Sequence, residues 1–359
     1  MKRDDYCPHG MAPNSCIACL AQRTSPTFAF QSAQNAARQL TPSGAGAGAS
    51  KPKQTAAPSE FDITRIPAIM DKLKAVQGPR FMRRWFNTPA YELPKDFKIG
   101  RKDPKLLDKK YLMDDLPFDW LYGIKRVRTV IDDVIEELSE VNEFDPRVGR
   151  TKGVLDQLSP GLLVLMSRLE AMGLLDAKNK RLNEGGRSFS TVPAIELESK
   201  CQFNRVDVGT SFAEKALDEL DDAYFALGSF SIKLAATELR TYKHLGYPTI
   251  EISEIGMYLR DTYDFLNVNG EDQLLGYWNE TGVEKPDPFE YMIGPKRIYR
   301  WFKPFYRVTN NSFNAYRKKT GMGGDFLVYS TVKRVPVAIT LHLNDADFEE
   351  YLDSKKTHG

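Results

Sequence analysis

The composition of residues 21–60 indicates that the large folded part of this chain begins after them. The segment consists mainly of Ala, Gly, Ser, Thr, Gln and Pro, and it carries almost no large apolar residue after Phe30. It cannot bury enough apolar surface to offset the entropy lost on ordering, so it is predicted to be a disordered linker. Residues 61–359 are expected to be globular, since 42% hydrophobic and 27% charged residues in the whole chain are ordinary for a folded protein.

The cysteines ahead of this linker indicate a metal site, because four cysteines are few for a disulfide framework in 359 residues. Two close pairs of ligands form the pattern C-x-H-x6-C-x2-C, at Cys7, His9, Cys16 and Cys19. Such a set suits tetrahedral zinc in a closed, structural site. We predict a zinc knot over residues 1–20 that docks on a partner; the alternative is a tail with incidental cysteines. The fourth cysteine, Cys201, is expected to be buried.

Apolar residues at helical spacing dominate residues 61–200. Intervals of three and four predict helices over residues 63–76, 118–138 and 160–175. Gly78 and Pro79 are expected to end the first helix, and two prolines favour extended structure in residues 80–94. The polar residues 176–190 are predicted to form an exposed loop.

Alternating and β-branched residues are typical of the second half, residues 201–359. They predict strands at residues 230–234, 249–258, 326–329 and 335–343. Helices followed by strands favour an α+β fold over alternating α/β. The expected architecture is a helical N-terminal half packed on a mainly antiparallel β-sheet C-terminal half, preceded by the zinc knot and the linker.

Net charge and hydropathy limit the partners of the chain and the cellular compartment in which it is made. The formal net charge of +2 does not by itself favour nucleic acid. No run approaches the roughly 18 apolar residues that a membrane span requires, so no transmembrane segment is expected. The N-terminus lacks the apolar stretch of a signal peptide, and the chain is expected to be made in the cytoplasm without a Sec signal. Needle-like secretion machines need no such signal, which leaves secretion into a target cell open.

The densest group of chemically useful residues follows Arg260. If a strand ends near Arg260, then Asp261, Tyr263 and Asp264 cluster at its end or in the next turn. Two carboxylates around a phenol can hold a divalent cation through oxygen or act as acid and base. The alternative is turn chemistry, in which Asp261 caps the turn while Tyr263 packs with Phe265.

Three segments around this group occur in a recognisable order. Residues 224–234 read Tyr-Phe-Ala-Leu-Gly-Ser-Phe-Ser-Ile-Lys-Leu, residues 256–264 end in Asp-Thr-Tyr-Asp, and residues 275–278 read Leu-Gly-Tyr-Trp. In this order they resemble the catalytic region of colicin M, a family of toxins that hydrolyse the lipid-linked pyrophosphate lipid II with magnesium. The resemblance implies that Asp261 and Asp264 handle Mg²⁺ and the attacking water, and that Tyr263 orients the phosphate.

The chain departs from that family at a cationic position. The family places a His-Arg pair six and seven residues after its second Asp, where this chain has Gly270 and Glu271. The missing cation would stabilise pyrophosphate charge in the transition state. Arg317 is the candidate for its replacement.

A basic and aromatic stretch supplies further candidates for phosphate binding. Residues 294–321 contain many Lys and Arg and no acidic residue, with aromatic residues interleaved. The predicted substrate-binding residues are Arg260, Lys296, Arg297 and Arg300. The same mixture suits nucleic acid, or an amphipathic segment with buried rings and solvated lysines. The Gly321-Met-Gly-Gly-Asp-Phe sequence is predicted to be a tight turn with positive-φ glycines.

Further motifs extend across residues 80–335, among them Met82-Arg-Arg-Trp-Phe and residues 221–228 and 311–317. Together they resemble an uncharacterised proteobacterial family often encoded near type VI secretion genes. This implies a secretion-system component or an immunity protein as partner. The first hypothesis is an antibacterial effector that hydrolyses lipid II or a related polyprenyl pyrophosphate. The alternatives are a non-enzymatic adaptor of a secretion system and a nuclease or nucleic-acid binder, although no stable nucleic acid is expected.

Overall fold

The structure is a computed structural model that describes residues 61–139, 161–209, 220–267, 272–285 and 305–358. The predicted zinc ligands Cys7, His9, Cys16 and Cys19, the linker 21–60 and the basic residues Lys296, Arg297 and Arg300 lie outside the described residues. The described part belongs to the α+β class, as the sequence predicts.

Ten α-helices occur in the described residues. They are α1 (Ile66–Lys72), α2 (Gln77–Asn87), α3 (Lys95–Lys98), α4 (Phe118–Gly123), α5 (Lys125–Ser139), α6 (Gly161–Ala171), α7 (Ala194–Lys200), α8 (Asp222–Ala226), α9 (Asn310–Thr320) and α10 (Asp345–His358). None of these described helices is both long and apolar enough to cross a membrane.

The strands form one large sheet and two small ones. They are β1 (Leu112–Leu116), β2 (Leu175–Asp176), β3 (Arg181–Leu182), β4 (Gly185–Ser188), β5 (Gln202–Val208), β6 (Phe230–His244), β7 (Tyr247–Tyr263), β8 (Leu274–Asn279), β9 (Gly282–Glu284), β10 (Tyr306–Thr309), β11 (Phe326–Ser330) and β12 (Lys333–His342). The seven-stranded sheet has the order β1-β11-β7-β6-β4, with β12 also paired to β7 and β5 to β6. The small sheets are β10-β8-β9 and β2-β3.

The large sheet is mainly antiparallel, as expected, but it is mixed because β1 runs parallel to β11. Its centre is the β6–β7 hairpin, in which His244 pairs with Tyr247. Leu245 and Gly246 connect the strands with φ of 49° and 93°. Two successive positive φ values are typical of the type I′ turn, whose twist matches the right-handed twist of the strands that it joins. Strands β1 and β4 come from the region 61–200, so both halves of the chain build the same sheet.

The two faces of this sheet pack against different groups of residues. Leu234, Met257 and Leu259 belong to the main core, which includes the buried residues of α1, α2, α5 and α6; we call this the helix face. Ala235 and Tyr258 belong to a smaller core that includes residues of α3 and α7; we call this the α7 face. Because side chains alternate along a strand, chain neighbours on β6 and β7 meet different environments.

The predicted stop at Gly78 and Pro79 is wrong, since α2 begins at Gln77 and runs through both residues. Proline is tolerated in the first turn of a helix, where its missing N–H has no intrahelical partner. The N–H groups of Gln77 and Gly78, which have no partner within the helix, donate to the carboxylate of Asp222, at 2.8 Å each for the shortest contacts. A Cβ on Gly78 would lie 2.6 Å from that of Phe225, so this glycine lets α8 approach α2.

Two other expectations fail for reasons of pairing and local geometry. Residues 176–190 are not simply a loop, because β2 pairs with β3 and β4 pairs with β6 at the sheet edge. The predicted helix over 118–138 is divided into α4 and α5 at Ile124, whose φ and ψ of −88° and 121° are extended. The predicted helix around 160–175 and the burial of Cys201 are confirmed.

The glycine turn after α9 follows the prediction. Gly321 and Gly323 have φ of 69° and 100°, and Gly321 ends α9 in the left-handed conformation. A Cβ on Gly323 would lie 2.5 Å from the ring of Trp85, which is fully buried. Glycine at this position therefore serves both the backbone conformation and the close contact with the core.

We expect Gly323→Ala to lower the free energy of unfolding by roughly 1–3 kcal/mol, because it adds strain at positive φ and overpacks the core. The matched control is Gly282→Ala, where no atom lies within 4 Å of an added Cβ. Urea unfolding of both variants measures the difference. Equal stability of the two variants would contradict the assigned role of Gly323.

Candidate functional site

The segment that contains Asp261 belongs to a strand rather than to a turn. The predicted strand end near Arg260 is wrong, because β11 pairs with β7 as far as Tyr263. Val328 pairs with Asp261, and Tyr329 pairs with Arg260. Asp261 and Tyr263 consequently share the helix face, while Arg260 lies on the α7 face. The sequence cluster is therefore divided between two sides of the sheet.

Tyr263 is a core residue of the helix face. Its side chain is buried, its ring stacks on Phe326 with centroids 5.0 Å apart, and Phe81 meets it edge-on at 5.6 Å. The hydroxyl donates to the sulfur of Met82 at 3.4 Å, and burial raises the pKa of Tyr263. This position matches the packing alternative and offers no hydroxyl to a phosphate.

Asp261 and Asp264 are close enough to influence each other but have different surroundings. Asp261 keeps part of its surface accessible, yet protein atoms surround its carboxyl group. Burial, reinforced by the charge of Asp264, raises the pKa of Asp261 to about 8, although the N–H of Thr262 opposes the shift. Asp264 forms an ion pair with Lys98 at 2.5 Å. The carboxylate of Asp264, which is paired with Lys98, therefore acts on a carboxyl group whose burial favours the protonated form.

The raised pKa of Asp261 predicts how stability depends on pH. An Asp has a pKa near 3.9 when unfolded, so its contribution is fully present below about pH 4 and is lost as pH rises towards 8. We expect Asp261→Asn to reduce the loss of stability between pH 5 and pH 8, because Asn cannot ionise. Urea unfolding across this range measures it, with Asp133→Asn on the exposed side of α5 as control. Parallel curves for the wild type and Asp261→Asn would contradict the assignment.

Arg260, expected to bind substrate, is fixed inside the protein on the α7 face. Its Nε lies 2.7 Å from a carboxylate oxygen of Glu198 and donates to the hydroxyl of Tyr329 at 3.2 Å. Its two Nη atoms donate to the backbone carbonyls of Lys98 and Phe97, at 2.8 and 2.5 Å. Every guanidinium nitrogen has a partner, so Arg260 ties α7 and α3 to the sheet.

Arg317, expected to replace the missing cation, is also engaged within the fold. It forms a buried ion pair with Asp325, and its Nε donates to the carbonyl of Gly323 at 2.7 Å. The guanidinium lies 5.3 Å from the centroid of the Trp85 ring. Asp325 also accepts from Trp85 and from the N–H of Leu93, at 3.3 and 3.2 Å. Arg317 therefore stabilises the glycine turn and is not presented to a substrate.

Lys98 is the cation that the structure places beside Asp264. Its side chain is 17% exposed, and that of Asp264 is 20% exposed, so both reach solvent. The backbone carbonyl of Lys98 accepts from Arg260, which fixes α3 over the sheet. The sequence gives no reason to associate Lys98 with Asp264, because Lys98 precedes it by 166 positions. Nothing in the local sequence of α3 distinguishes it from other exposed lysines.

The carboxylates of the described residues do not form a metal-binding cluster. No group of three or more His, Cys, Asp or Glu side chains in that part of the chain is arranged to hold a metal ion. Burial favours the protonated form of Asp261, and Asp264 is paired with Lys98. Both features oppose coordination of Mg²⁺, which requires ionised oxygen ligands.

Comparison with known proteins assigns a family but no activity. A family model described as a family of unknown function (DUF6402) matches residues 61–344. The chain belongs to this family, whose model covers most of it and includes every described strand. No curated protein and no solved structure matches the chain.

Proposed function

We propose that the chain is an antibacterial effector that hydrolyses lipid II or a related polyprenyl pyrophosphate. The observation that supports this proposal is the raised pKa of Asp261 next to the Asp264–Lys98 ion pair. A general acid or base is most effective when its pKa lies near the working pH. Two carboxyl groups with unequal surroundings are a recurring arrangement of acid and base in hydrolases.

The side chains suggest a division of roles. Water would add to the phosphorus while the bond from phosphorus to the lipid oxygen breaks. Asp261 would donate its proton to the departing lipid alcohol and recover one from the water that has added. Lys98 would stabilise negative charge on the phosphoryl oxygens, in place of the cation that the colicin M resemblance requires. Asp264 would orient Lys98 through their ion pair. Because the carboxyl groups fit Mg²⁺ poorly, no step is assigned to the metal.

The test is incubation of the purified protein with lipid II, with and without magnesium. Release of a pyrophosphorylated headgroup and the lipid alcohol is expected, measured by chromatography and mass spectrometry. Asp261→Asn should lower the rate by about 10²- to 10⁴-fold, the usual contribution of a general acid. Tyr263→Phe and Asp133→Asn are matched controls that should retain activity, because neither removed group faces the carboxyl pair. Absence of product, or full activity of Asp261→Asn, would refute the proposal.

A non-enzymatic adaptor is the second candidate. Arg260 and Arg317 are both held by internal partners, and Gly270 and Glu271 replace the His-Arg pair. A scaffold in which both arginines are engaged could serve to bind a secretion-system component or an immunity protein. Expression directed to the periplasm of a sensitive bacterium separates the two candidates, since only the hydrolase should cause lysis. The nucleic-acid hypothesis gains no support, because Arg317 is engaged and Lys296, Arg297 and Arg300 lie outside the described residues.

We further propose that the N-terminal motif binds one structural zinc ion and acts as a docking module. Its ligands would be Cys7, His9, Cys16 and Cys19. Metal analysis of the intact protein under reducing conditions should find about one equivalent of zinc, as expected for one four-ligand site. Replacing Cys16 and Cys19 by Ser should remove it, whereas Cys201→Ala should not, because Cys201 is buried in the smaller core. If metal analysis finds no zinc in the intact protein, the proposal is wrong and the motif is a tail with incidental cysteines.

A further inference from the structure

The α7 face of the large sheet carries a strip of charged side chains that is largely covered by α7 and α3. Its cationic members are Arg168, Arg205, Lys233 and Arg260, and its acidic members are Glu198 and Asp207. Buried charges are stable only when they are paired or otherwise compensated. The strip contains more cations than carboxylates. A cation that is left without a carboxylate partner is therefore a candidate for binding an external anion.

Both carboxylates of the strip already have partners. Glu198 is held by Arg260 at 2.7 Å and accepts a hydrogen bond from the hydroxyl of Tyr329. Asp207 lies 3.5 Å from Arg205 and accepts from the hydroxyl of Ser231 at 2.6 Å. No carboxylate of the strip is therefore left for Lys233.

Lys233 lies at the middle of the strip with no partner among the described residues. It is 5% exposed, and within the described part of the chain its Nζ makes no hydrogen bond or ion pair. In register it stands between Arg205 on β5 and Tyr258 on β7. Burial, reinforced by the charges of Arg260 and Arg205, lowers the pKa of Lys233 to about 8, although Glu198 opposes the shift.

Tyr258, the neighbour of Lys233 on β7, also lacks a hydrogen-bond partner for its polar group among the described residues. Its side chain is fully buried, and its hydroxyl has no hydrogen-bond partner among the described residues. Directly opposed residues on antiparallel strands have Cβ atoms about 5 Å apart and share a face. The side chains of Lys233 and Tyr258 thus leave the sheet as neighbours on the α7 face, and neither terminal group has an acceptor among the described residues.

We propose that Lys233 and Tyr258 bind the oxyanion group, phosphoryl or carboxylate, of a ligand that enters past Arg205 and Ser231. An oxyanion supplies both the hydrogen-bond acceptors and the negative charge that the strip lacks, whereas water supplies acceptors alone. The side chains of Arg205 and Asp207 are 21% and 34% exposed, so this end of the strip reaches solvent. The site does not depend on the proposed hydrolysis, although the charge of Lys233 also acts on Asp261.

Binding is tested by calorimetric titration of the intact protein with inorganic phosphate and with acetate, at constant ionic strength set with chloride. Lys233→Met should weaken binding by roughly 10- to 100-fold, and Tyr258→Phe by roughly 2- to 10-fold, the usual loss for a charged and a neutral hydrogen bond. The matched control is Lys243→Met, an exposed lysine on the same strand, which should bind as the wild type does. Tighter phosphate binding assigns a phosphoryl ligand, and tighter acetate binding assigns a carboxylate.

The stability of the variants provides a second readout. Without anion, Lys233→Met should be at least as stable as the wild type, because it replaces an unpaired buried cation by an apolar side chain of similar length. Phosphate stabilises many proteins non-specifically, so its effect on Tm is compared between Lys233→Met and Lys243→Met. The proposal is overturned if the wild type binds neither anion, or if Lys233→Met binds them as tightly. If Lys233→Met does not fold, unchanged affinity in Tyr258→Phe overturns it.

Discussion

The pairing of β6 with β7 is the constraint on which the remaining structure depends. These two long strands form the centre of the large sheet. Besides β6, strand β7 pairs with both β11 and β12. Once this pairing is fixed, strand alternation decides which side chains enter each core. Arg260 and Asp261 are chain neighbours, yet one enters an ion pair on the α7 face and the other enters the apolar helix face.

Buried charge is handled in two different ways within this sheet. Arg260 with Glu198, and Arg317 with Asp325, are pairs in which each charge compensates the other. Such pairs fix the arrangement of the elements they join, since removing one partner leaves a costly unpaired charge. Among the described residues Asp261 and Lys233 have no such partner, and burial shifts the pKa of each towards 8, from opposite directions. The two groups that carry the proposals are therefore those in which burial is not balanced by pairing.

The fold class could be predicted from the sequence because it rests on local periodicity, and the turn at Gly321 and Gly323 because it rests on local backbone chemistry. The start of α2 could not, because the carboxylate that caps it belongs to Asp222. For the candidate site, spacing placed Asp261 close to Asp264. It could not show that β11 extends the strand to Tyr263, nor that Lys98 meets Asp264. Lys233 has the spacing of a solvent-facing strand residue, and the packing of α7 on β6 changes its surroundings.

The cap on α2 also has a consequence for the order in which the chain can fold during synthesis. Asp222 is 145 positions downstream of Gln77, and synthesis at about 5–20 residues per second delays its appearance by roughly 7–30 s. The parallel strand β1 must wait longer, because its partner β11 begins at Phe326. The N-terminal helices of the globular part therefore leave the ribosome well before the residues that hold them in place. Final assembly of this fold must wait until β11 has been synthesised, and the early segments need protection from aggregation until then.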